Sequence, residues 1–317
     1  MHNIFDEISK VKNVAITGHV RPDGDCIGSC TALYTYITNA FKTTQVDLFL
    51  ESLPPNFAFL ANSDKINSQY STSFPYDLVI SLDSGDLERI GQAQTIFAEA
   101  KKTINIDHHI SNTEFAEINH VISDASSTCE VLFDLMEDDY IDVLVATSLY
   151  TGLIHDTGVF KHSNTTRHTM EIAGKLIEKG VPFSKIIDES FYQKTFIQNQ
   201  ILGRCLLESS LLLEGKVIAS VISRQTLDLY GAGSKDIDGA IDQLRITKGV
   251  EVAILLHETN SLEYKVSMRS NEIINVSQIA KQFGGGGHIR AAGCTMKGTS
   301  QEIINELIAI ITAQFVN

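Results

Sequence analysis

The amino-acid sequence predicts an α/β protein in which a larger N-terminal domain has a mainly parallel sheet flanked by helices and a smaller C-terminal domain is also α/β. Three observations support this prediction. Short apolar runs alternate with longer stretches of helical periodicity through the first half of the chain, as in parallel α/β sheets. A helical stretch at about 167–210 lacks strand candidates, and strand-like runs return after it. With 317 residues, the chain is long enough for two hydrophobic cores.

The strands predicted in the first half are short, apolar and bounded by polar residues or glycine: NVAIT (13–17), QVDLFL (45–50), DLVISLD (77–83) and TINID (103–107). Helices are predicted for IGSCTALYTYITNAF (27–41), STCEVLFDLMED and DVLVATSLYTGLIHD. Parallel α/β sheets bind ligands beyond the carboxyl ends of their strands, so a functional site is expected at that edge.

The strands predicted in the second half are KVIASVIS (216–223), VEVAILLHET (250–259) and LEYKVSMRS (262–270). A glycine-rich loop and a final helix in QEIINELIAIITAQFVN follow them. The segment KGVPFSKIIDESFYQKTF is interpreted as a connector. We therefore expect a catalytic domain at 1–190, a helical linker at 191–205 and a second domain at 206–317.

The composition limits the classes of function. The net charge is −14, from 25 basic and 39 acidic residues, and no segment has the broad basic footprint that long nucleic acid requires. A small phosphorylated substrate fits better. No apolar run reaches the roughly 18 residues that span a bilayer, and MHNIFDEISK does not resemble a signal peptide. We expect a soluble cytoplasmic protein that does not bind membranes. The five cysteines form no CxxC pair and are interpreted as buried thiols.

A first cluster of polar residues lies in GHVRPDGD, between the first strand and the first helix, and contains His19, Asp23 and Asp25. Two aspartates two residues apart on a tight turn can face two adjacent cations. Carboxylates together with an imidazole suit manganese or magnesium. The alternative is a turn rich in aspartate in which Asp25 caps the helix.

Two further clusters end the next strands of the first half. Asp83 ends DLVISLD, although aspartate is also a common residue at strand ends. Asp107, His108 and His109 end TINID, where three titratable groups would share one crevice. Neutral imidazole is a common metal ligand, and an acid beside it can fix its orientation. The alternative is a loop with surface histidines.

A fourth cluster, GLIHDTG, closes an apolar helix and offers Asp156 as another carboxylate. His155 is a weaker candidate, because a polar residue at a helix end needs no further role. Four such turns, each at the end of an apolar element, indicate one shared site. The hypothesis from these residues is a two-metal phosphoesterase, since paired cations can activate water and stabilise phosphoryl transfer.

The motifs HVRPDGD, LDSGD, DHH and GLIHDTG, together with GGGGHIRAAG at 284–293, resemble those of the DHH phosphoesterase superfamily with a DHHA1 substrate-binding domain. The resemblance covers nearly the whole chain and implies a mixed sheet in the second domain. The pattern is most similar to the bacterial NrnA-like branch. This likeness implies hydrolysis of short oligoribonucleotides such as pApA, of pAp, or of cyclic di-AMP.

The resemblance also implies roles for the clustered residues. It assigns His19, Asp23 and Asp83 to one manganese ion, and Asp25, Asp83, His108 and Asp156 to a second, with Mg²⁺ or Co²⁺ as substitutes. Asp83 would bridge the two ions, and a bridging water would be the nucleophile. His109 would contact the scissile phosphate, and Asp107 would support the histidines.

In the second domain the resemblance implies substrate contacts from two places. The glycines Gly285, Gly286 and Gly287 would let backbone amides approach phosphate, and His288 would bind substrate beside them. Arg269 and Ser270, at the end of VSMRS, match the family's other phosphate-contacting position. Arg89 is either a cleft residue or a surface arginine. A flexible linker is the alternative for the glycine run.

Three other functions are compatible with part of the pattern. An inorganic pyrophosphatase shares the N-terminal motifs but lacks GGGGHIRAAG. A RecJ-like exonuclease is disfavoured by the chain length and the acidic charge. A nucleotide-binding sensor would not need the intact metal set. The sequence does not choose among pAp, pApA, longer oligoribonucleotides and cyclic di-AMP, nor between a monomer and the homodimer that the resemblance suggests.

Overall fold

The computed structural model describes residues 4–72 and 75–316. The chain forms two compact units that divide between Gln193 and Lys194. The predicted fold class is confirmed, because the first unit contains a parallel sheet and the second a mixed sheet. Helix Phe196–Leu207, which covers most of the predicted linker, buries Ile201 and Cys205 in a core of the second unit.

The first unit has a five-stranded sheet with the order β2-β1-β3-β4-β5, and every neighbouring pair is parallel. Its strands are β1 Asn13–Thr17, β2 Gln45–Phe49, β3 Leu78–Leu82, β4 Thr103–Asp107 and β5 Ile118–Val121. Its α-helices are α1 Ile4–Ile8, α2 Gly24–Ala40, α3 Ala93–Ala98, α4 Thr128–Leu135, α5 Val143–Asp156, α6 Arg167–Glu178 and α7 Phe183–Ile186. Strand β5 was not predicted, because its four residues are only half-buried and form no apolar run.

Helices α2 and α5 pack closely against each other on one face of the sheet, and α3 covers the other face. The close approach of α2 and α5 requires glycine. A Cβ at Gly28 would lie 2.6 Å from the carbonyl oxygen of Ser148, and a Cβ at Gly152 would lie 2.6 Å from Asp25 Oδ1. Ile186, within the segment interpreted as a connector, is buried in the same core, so that interpretation was wrong for this part.

The second unit has a six-stranded sheet with the order β10-β11-β9-β8-β7-β6, in which only β7 and β8 are parallel. Its strands are β6 Ser210–Leu212, β7 Val217–Ile222, β8 Val252–Asn260, β9 Glu263–Ser270, β10 Gly286–His288 and β11 Ala291–Lys297. Its α-helices are α8 Phe196–Leu207, α9 Arg224–Tyr230, α10 Ala240–Arg245, α11 Val276–Gln282 and α12 Ser300–Val316.

The glycine-rich run is a β-hairpin and not the predicted loop. Gly286 pairs with Gly293, and His288 pairs with Ala291, so β10 becomes the edge strand of the sheet. Glycine has a low strand propensity, which is why sequence patterns miss this element. The hairpin nevertheless needs glycine at Gly285, where a Cβ would lie 2.2 Å from the carbonyl oxygen of Gly293.

Two simpler expectations can be compared with the structure. All five cysteines are free and buried, as predicted. Across residues 4–72 and 75–316, no helix combines the length and the apolarity that crossing a bilayer would demand.

Candidate metal centre

The predicted clusters of the first unit meet at one edge of its sheet. His19 follows the end of β1 by two residues, Asp83 follows β3 directly, and Asp107 is the last residue of β4. These strands are neighbours, and all run in the same direction. In a sheet of order 2-1-3-4-5, the crevice between β1 and β3 is where the chain reverses its winding and where ligands bind.

Asp83 lies at the centre of the cluster. Its Oδ2 is 3.4 Å from His19 Nε2, and its Oδ1 is 3.6 Å from His108 Nε2. His108 Nε2 is also 3.1 Å from Asp156 Oδ2 and 4.0 Å from Asp25 Oδ2. The structure therefore brings residues from all four predicted clusters together. Two groups of donors result, one around His19 and one around His108, and Asp83 contacts both.

The two aspartates of the first turn have different environments. Asp23 caps α2 by accepting hydrogen bonds from the backbone nitrogens of Asp25 and Cys26, and its Oδ1 lies 3.6 Å from His19 Nε2. Asp25 is fully buried and accepts hydrogen bonds from the backbone nitrogens of Thr128 (2.7 Å) and Cys129 (3.0 Å). The alternative that Asp25 is the helix cap is therefore wrong. Its carboxylate instead lies at the positive N-terminal end of α4.

Backbone carbonyls orient His19, which is buried, and His108, which is partly buried. His19 Nδ1 is 2.9 Å from the carbonyl oxygen of Val20, and His108 Nδ1 is 3.3 Å from that of Ala125. A carbonyl only accepts hydrogen bonds, so each Nδ1 carries a proton. Each Nε2 then faces the carboxylates and can bind a cation when it is deprotonated. Partners of this kind commonly orient histidines that bind metals.

The pKa values reveal how crowded the negative charges are. Burial, together with the charges of Asp83 and Asp156, raises the pKa of Asp25 well above its usual value. Burial opposes protonation of His108, but its hydrogen bond to Asp156 and the charges of Asp25 and Asp83 raise its pKa to about 10. The crowded carboxylates therefore favour the binding of positive charge, in the form of protons or of a cation. A divalent cation could replace the protons, because metal binding releases protons from its ligands.

Cys26 is a further potential donor, because its sulfur lies near donor atoms of His19 and Asp83. Burial and the neighbouring Cys30 raise the pKa of the Cys26 thiol well above its usual value. A cation beside the sulfur would itself lower that pKa. Cys26 is therefore a candidate donor in addition to the carboxylate oxygens and imidazole nitrogens.

A hydrogen-bonded chain orients His109 at the mouth of the cluster. His109 Nδ1 is 2.7 Å from Asp107 Oδ1, and Asn112 Nδ2 donates to Asp107 Oδ2 at 2.6 Å. Asp107 is fully buried, whereas 41% of the His109 side chain is exposed. The hydrogen bond to Asp107 raises the pKa of His109. When the ring is protonated, the Nε2 of this partly exposed side chain can donate to an anion.

His155 does not belong to the cluster. Its ring packs against Phe57 and Phe191, and its Nε2 is 3.1 Å from Ser190 Oγ. Burial lowers its pKa to about 4, so the ring is neutral. Arg89 contacts the turn that carries His19 through its backbone, because its carbonyl oxygen accepts a hydrogen bond from the nitrogen of Val20 at 2.7 Å.

The candidates in the second unit lie around the end of β9 and in the β10–β11 hairpin. The Arg269 side chain is partly exposed, with Nε 3.4 Å from Asp242 Oδ1. Ser270 is buried and donates its hydroxyl to the carbonyl oxygen of Ile274 at 2.6 Å. His288 is exposed on the edge strand.

Sequence reasoning missed two residues that support the cluster. Asn112 holds Asp107, and Thr128 donates its hydroxyl to Asp83 Oδ1 at 3.1 Å and its backbone nitrogen to Asp25. The sequence could have indicated Thr128, because Ser127 and Glu130 have the spacing that marks a helix N-terminus and Thr128 is the next residue after Ser127. Asn112 had none, since its contact depends on how the loop after β4 turns back.

Comparison with known families agrees with this geometry. Residues 13–153 match the DHH family, N-terminal domain, and residues 214–317 match the DHHA1 domain. The chain belongs to the DHH phosphoesterase family. The first match contains the residues of the donor cluster except Asp156, which lies three residues beyond it.

Two curated relatives are both named bifunctional oligoribonuclease and PAP phosphatase NrnA. The protein from Thermus thermophilus is 29% identical in sequence. The aligned region covers 90% of this DHH-family chain and 84% of the relative. The protein from Bacillus subtilis is 24% identical over 91% of both chains. The structure of an exopolyphosphatase-related protein from Bacteroides fragilis has the same fold, with a TM-score of 0.86 at 23% identity, and covers 98% of this chain and 94% of its own.

Proposed function

We propose that this chain is a two-metal phosphoesterase that hydrolyses small nucleotides, namely short oligoribonucleotides such as pApA, the bisphosphate pAp and cyclic di-AMP, with manganese as its cation. The observation that carries the proposal is the position of Asp83, whose two carboxylate oxygens face His19 and His108 within 3.6 Å. The relatives from Thermus thermophilus and Bacillus subtilis are named as an oligoribonuclease and PAP phosphatase, which supports short oligoribonucleotides and pAp as substrates.

The donor set fits two divalent cations. His19, Asp23 and Asp83 would hold one, and Asp25, Asp83, His108 and Asp156 would hold the other. These carboxylate and imidazole ligands favour manganese, with magnesium or cobalt as substitutes. When bound, the cations supply Lewis-acid chemistry, since they lower the pKa of water and neutralise charge on phosphoryl oxygens.

His109 contacts the scissile phosphate in this proposal. Asp107 accepts from Nδ1 and stabilises the protonated ring, so Nε2 donates to a phosphoryl oxygen as negative charge develops there. Asn112 donates to the second oxygen of Asp107, so both oxygens of that carboxylate have hydrogen-bond partners. Asp107 and Asn112 are positioning residues, whereas His109 contacts the substrate.

The second unit binds the remainder of the substrate. The Arg269 guanidinium suits a phosphate that is not cleaved, because charge-assisted bonds to phosphate are strong. Backbone amides of Gly285, Gly286 and Gly287, with the exposed His288, provide further contacts. Ser270 contributes by holding the loop that follows Arg269, through its bond to Ile274.

A panel of substrates tests the function. With manganese present, we expect the purified protein to hydrolyse pAp, pApA, a longer oligoribonucleotide and cyclic di-AMP with measurable kcat/KM, and pyrophosphate far more slowly. Removal of metal by a chelator should abolish turnover and lower Tm, because a cation that binds only the folded state stabilises it. Manganese should restore both properties better than calcium does.

The outcomes separate the alternatives. Rapid hydrolysis of pyrophosphate with no activity on the nucleotides would establish a pyrophosphatase. Tight nucleotide binding without turnover in any metal would establish a sensor. Full activity after exhaustive metal removal would exclude the two-metal mechanism.

Gly286 and Gly285 form a matched pair that tests the glycine contacts. A Cβ at Gly286 would meet no atom within 4 Å, so the fold does not require glycine there. We expect Gly286→Ala to keep its Tm but to lose about tenfold or more in kcat/KM, because a bond to a charged group is worth about 1.5–3 kcal/mol and the methyl group blocks it. Gly285→Ala should instead lower Tm by several degrees. An unchanged kcat/KM in Gly286→Ala would show that the backbone at Gly286 does not contact the substrate.

A further inference from the structure

Cys26 is the third residue of α2, on the helical turn that faces the end of β1. Its side chain is completely buried, and the sulfur lies 3.9 Å from the carbonyl oxygen of His19. A Cβ at Gly18 would lie only 2.3 Å from this sulfur. Glycine at position 18 therefore leaves the space that the Cys26 sulfur occupies, directly beside the turn that carries His19.

Three donors of different chemistry meet at this point. A ring nitrogen of His19, a carboxylate oxygen of Asp83 and the Cys26 sulfur all lie within 4.8 Å of one another, and all three residues are buried. His19 Nε2 and Asp83 Oδ2 are 3.4 Å apart. In a tetrahedral zinc site, bonds of about 2.0–2.3 Å place neighbouring donors roughly 3.3–3.6 Å apart. Small adjustments of these side chains are therefore enough to place the three donors around one cation.

The two halves of the donor cluster differ in the chemistry of their atoms. In the part of the chain that the structure describes, the donor groups around His108 contain carboxylates and imidazoles, whereas the group around His19 also contains a sulfur. Thiolates select zinc and other soft cations, whereas carboxylates suit manganese and magnesium. Zinc also binds a given set of nitrogen, oxygen and sulfur donors more tightly than manganese does. The half around His19 is therefore the one that favours a thiophilic cation.

Cys30 is a cysteine of the same helix in a different position. It is also completely buried, one helical turn further along α2. Among the described residues, however, it belongs to none of the donor groups. Burial alone thus does not bring a thiol to the cluster, and the place of Cys26 on the first turn does. The N-terminal turn of a helix also favours negative charge, which suits a thiolate.

We propose that Cys26 makes the His19 half of the centre selective for zinc, and that zinc held there displaces manganese and inhibits hydrolysis. The thiol proton passes to solvent as the sulfur binds the cation. With Asp23, whose Oδ1 is 3.6 Å from His19 Nε2, zinc would have four protein ligands. Zinc sites closed by four protein ligands keep no position for a reactive water. This inference rests on the proposed function and adds to it regulation by a second kind of cation.

Cobalt absorption tests the sulfur directly. Charge transfer from thiolate to Co²⁺ absorbs in the near ultraviolet, where carboxylate and imidazole ligands of cobalt absorb little. After dialysis against Co²⁺, we expect this band in the wild type and in Cys30→Ala, and its loss in Cys26→Ala and Cys26→Ser. Cys30→Ala is the matched control, because it removes a buried thiol of the same helix. Absence of the band from the cobalt-loaded wild type would overturn the proposal without reference to any variant.

Competition between two cations tests the selectivity. Each protein is dialysed against one mixture of Zn²⁺ and Mn²⁺, and the bound cations are measured by atomic emission. We expect the ratio of bound zinc to manganese to fall about tenfold or more in Cys26→Ala, since even residues that only support metal ligands contribute about 10–100-fold in affinity. Cys30→Ala should keep the ratio of the wild type.

Hydrolysis of pAp in manganese, with increasing zinc, completes the test. The zinc concentration that halves the rate should rise about tenfold or more in Cys26→Ala, by the same reasoning, and stay unchanged in Cys30→Ala. If none of the proteins hydrolyses a nucleotide but the cobalt band and the difference in bound zinc persist, the proposed function fails and the zinc site stands. Equal ratios of bound zinc to manganese in the wild type and Cys26→Ala would overturn the zinc site.

Discussion

Replacement of Asp83 by asparagine is expected to reduce kcat/KM on every substrate by about 10³-fold or more. Among the residues that the structure describes, Asp83 is the carboxylate that lies near both His19 and His108, so both cations would lose a charged ligand. The charge stabilisation that paired metals supply amounts to several kcal/mol, and each 1.36 kcal/mol corresponds to a factor of ten. Metal content, measured by atomic emission after dialysis, should fall together with activity.

Asparagine is the informative replacement because of the backbone at this position. Asp83 has φ +53°, a left-handed conformation that asparagine adopts more readily than alanine. Asp83→Asn therefore changes the charge with little added strain. Asp86→Ala is the control, since Asp86 lies on the same loop, accepts a hydrogen bond from the Arg89 nitrogen and has no contact with the donor cluster among the described residues. Near-normal turnover and metal content in Asp83→Asn would show that the centre lies elsewhere.

Replacement of His109 by glutamine is expected to lower kcat by about 10²–10³-fold, the usual loss when one donor to a developing oxyanion is removed. Unlike Asp83→Asn, this variant should keep its metal content, because His109 lies at the mouth of the cluster with 41% of its side chain exposed. The two variants together separate residues that hold cations from residues that contact the phosphate.

His120→Ala is the control for His109, because His120 is a half-buried histidine of β5 outside the donor cluster. It should keep both kcat and metal content. Loss of metal in His109→Gln would make His109 a ligand instead of a phosphate contact. An unchanged kcat would show that His109 has no role in the reaction.

The parallel sheet of the first unit was predictable because its signal is local. Strands β1 and β4 have the predicted bounds, β2 is one residue shorter than predicted at its C-terminal end, and β3 is one residue shorter at each end. A buried parallel strand must be apolar on both faces, so its sequence is continuous and easily recognised. Polar residues at the ends of such strands also indicated where the donor cluster would form. The five family motifs added a prediction of which residues hold the cations.

Other features depend on contacts between residues that are distant in the sequence. From the turn PDGD, Asp25 was the candidate cap of α2, but the backbone nitrogens of α4 bind Asp25 and Asp23 caps the helix instead. His155 and Asp156 are adjacent in the chain, but a helix turns about 100° per residue. Asp156 therefore faces His108, whereas His155 packs against Phe57 and Phe191.

The sequence by itself determined the α/β class, the edge of the sheet that carries the acids and histidines, and the family. Only the tertiary structure decided that Asn112 holds Asp107, that the glycine run pairs as a hairpin, and that the Cys26 sulfur lies beside donor atoms of His19 and Asp83. The reason is physical. Periodicity and turn chemistry depend on the neighbours of a residue along the chain. The orientation of a side chain and its hydrogen-bond partners depend on which strands and loops pack together in space.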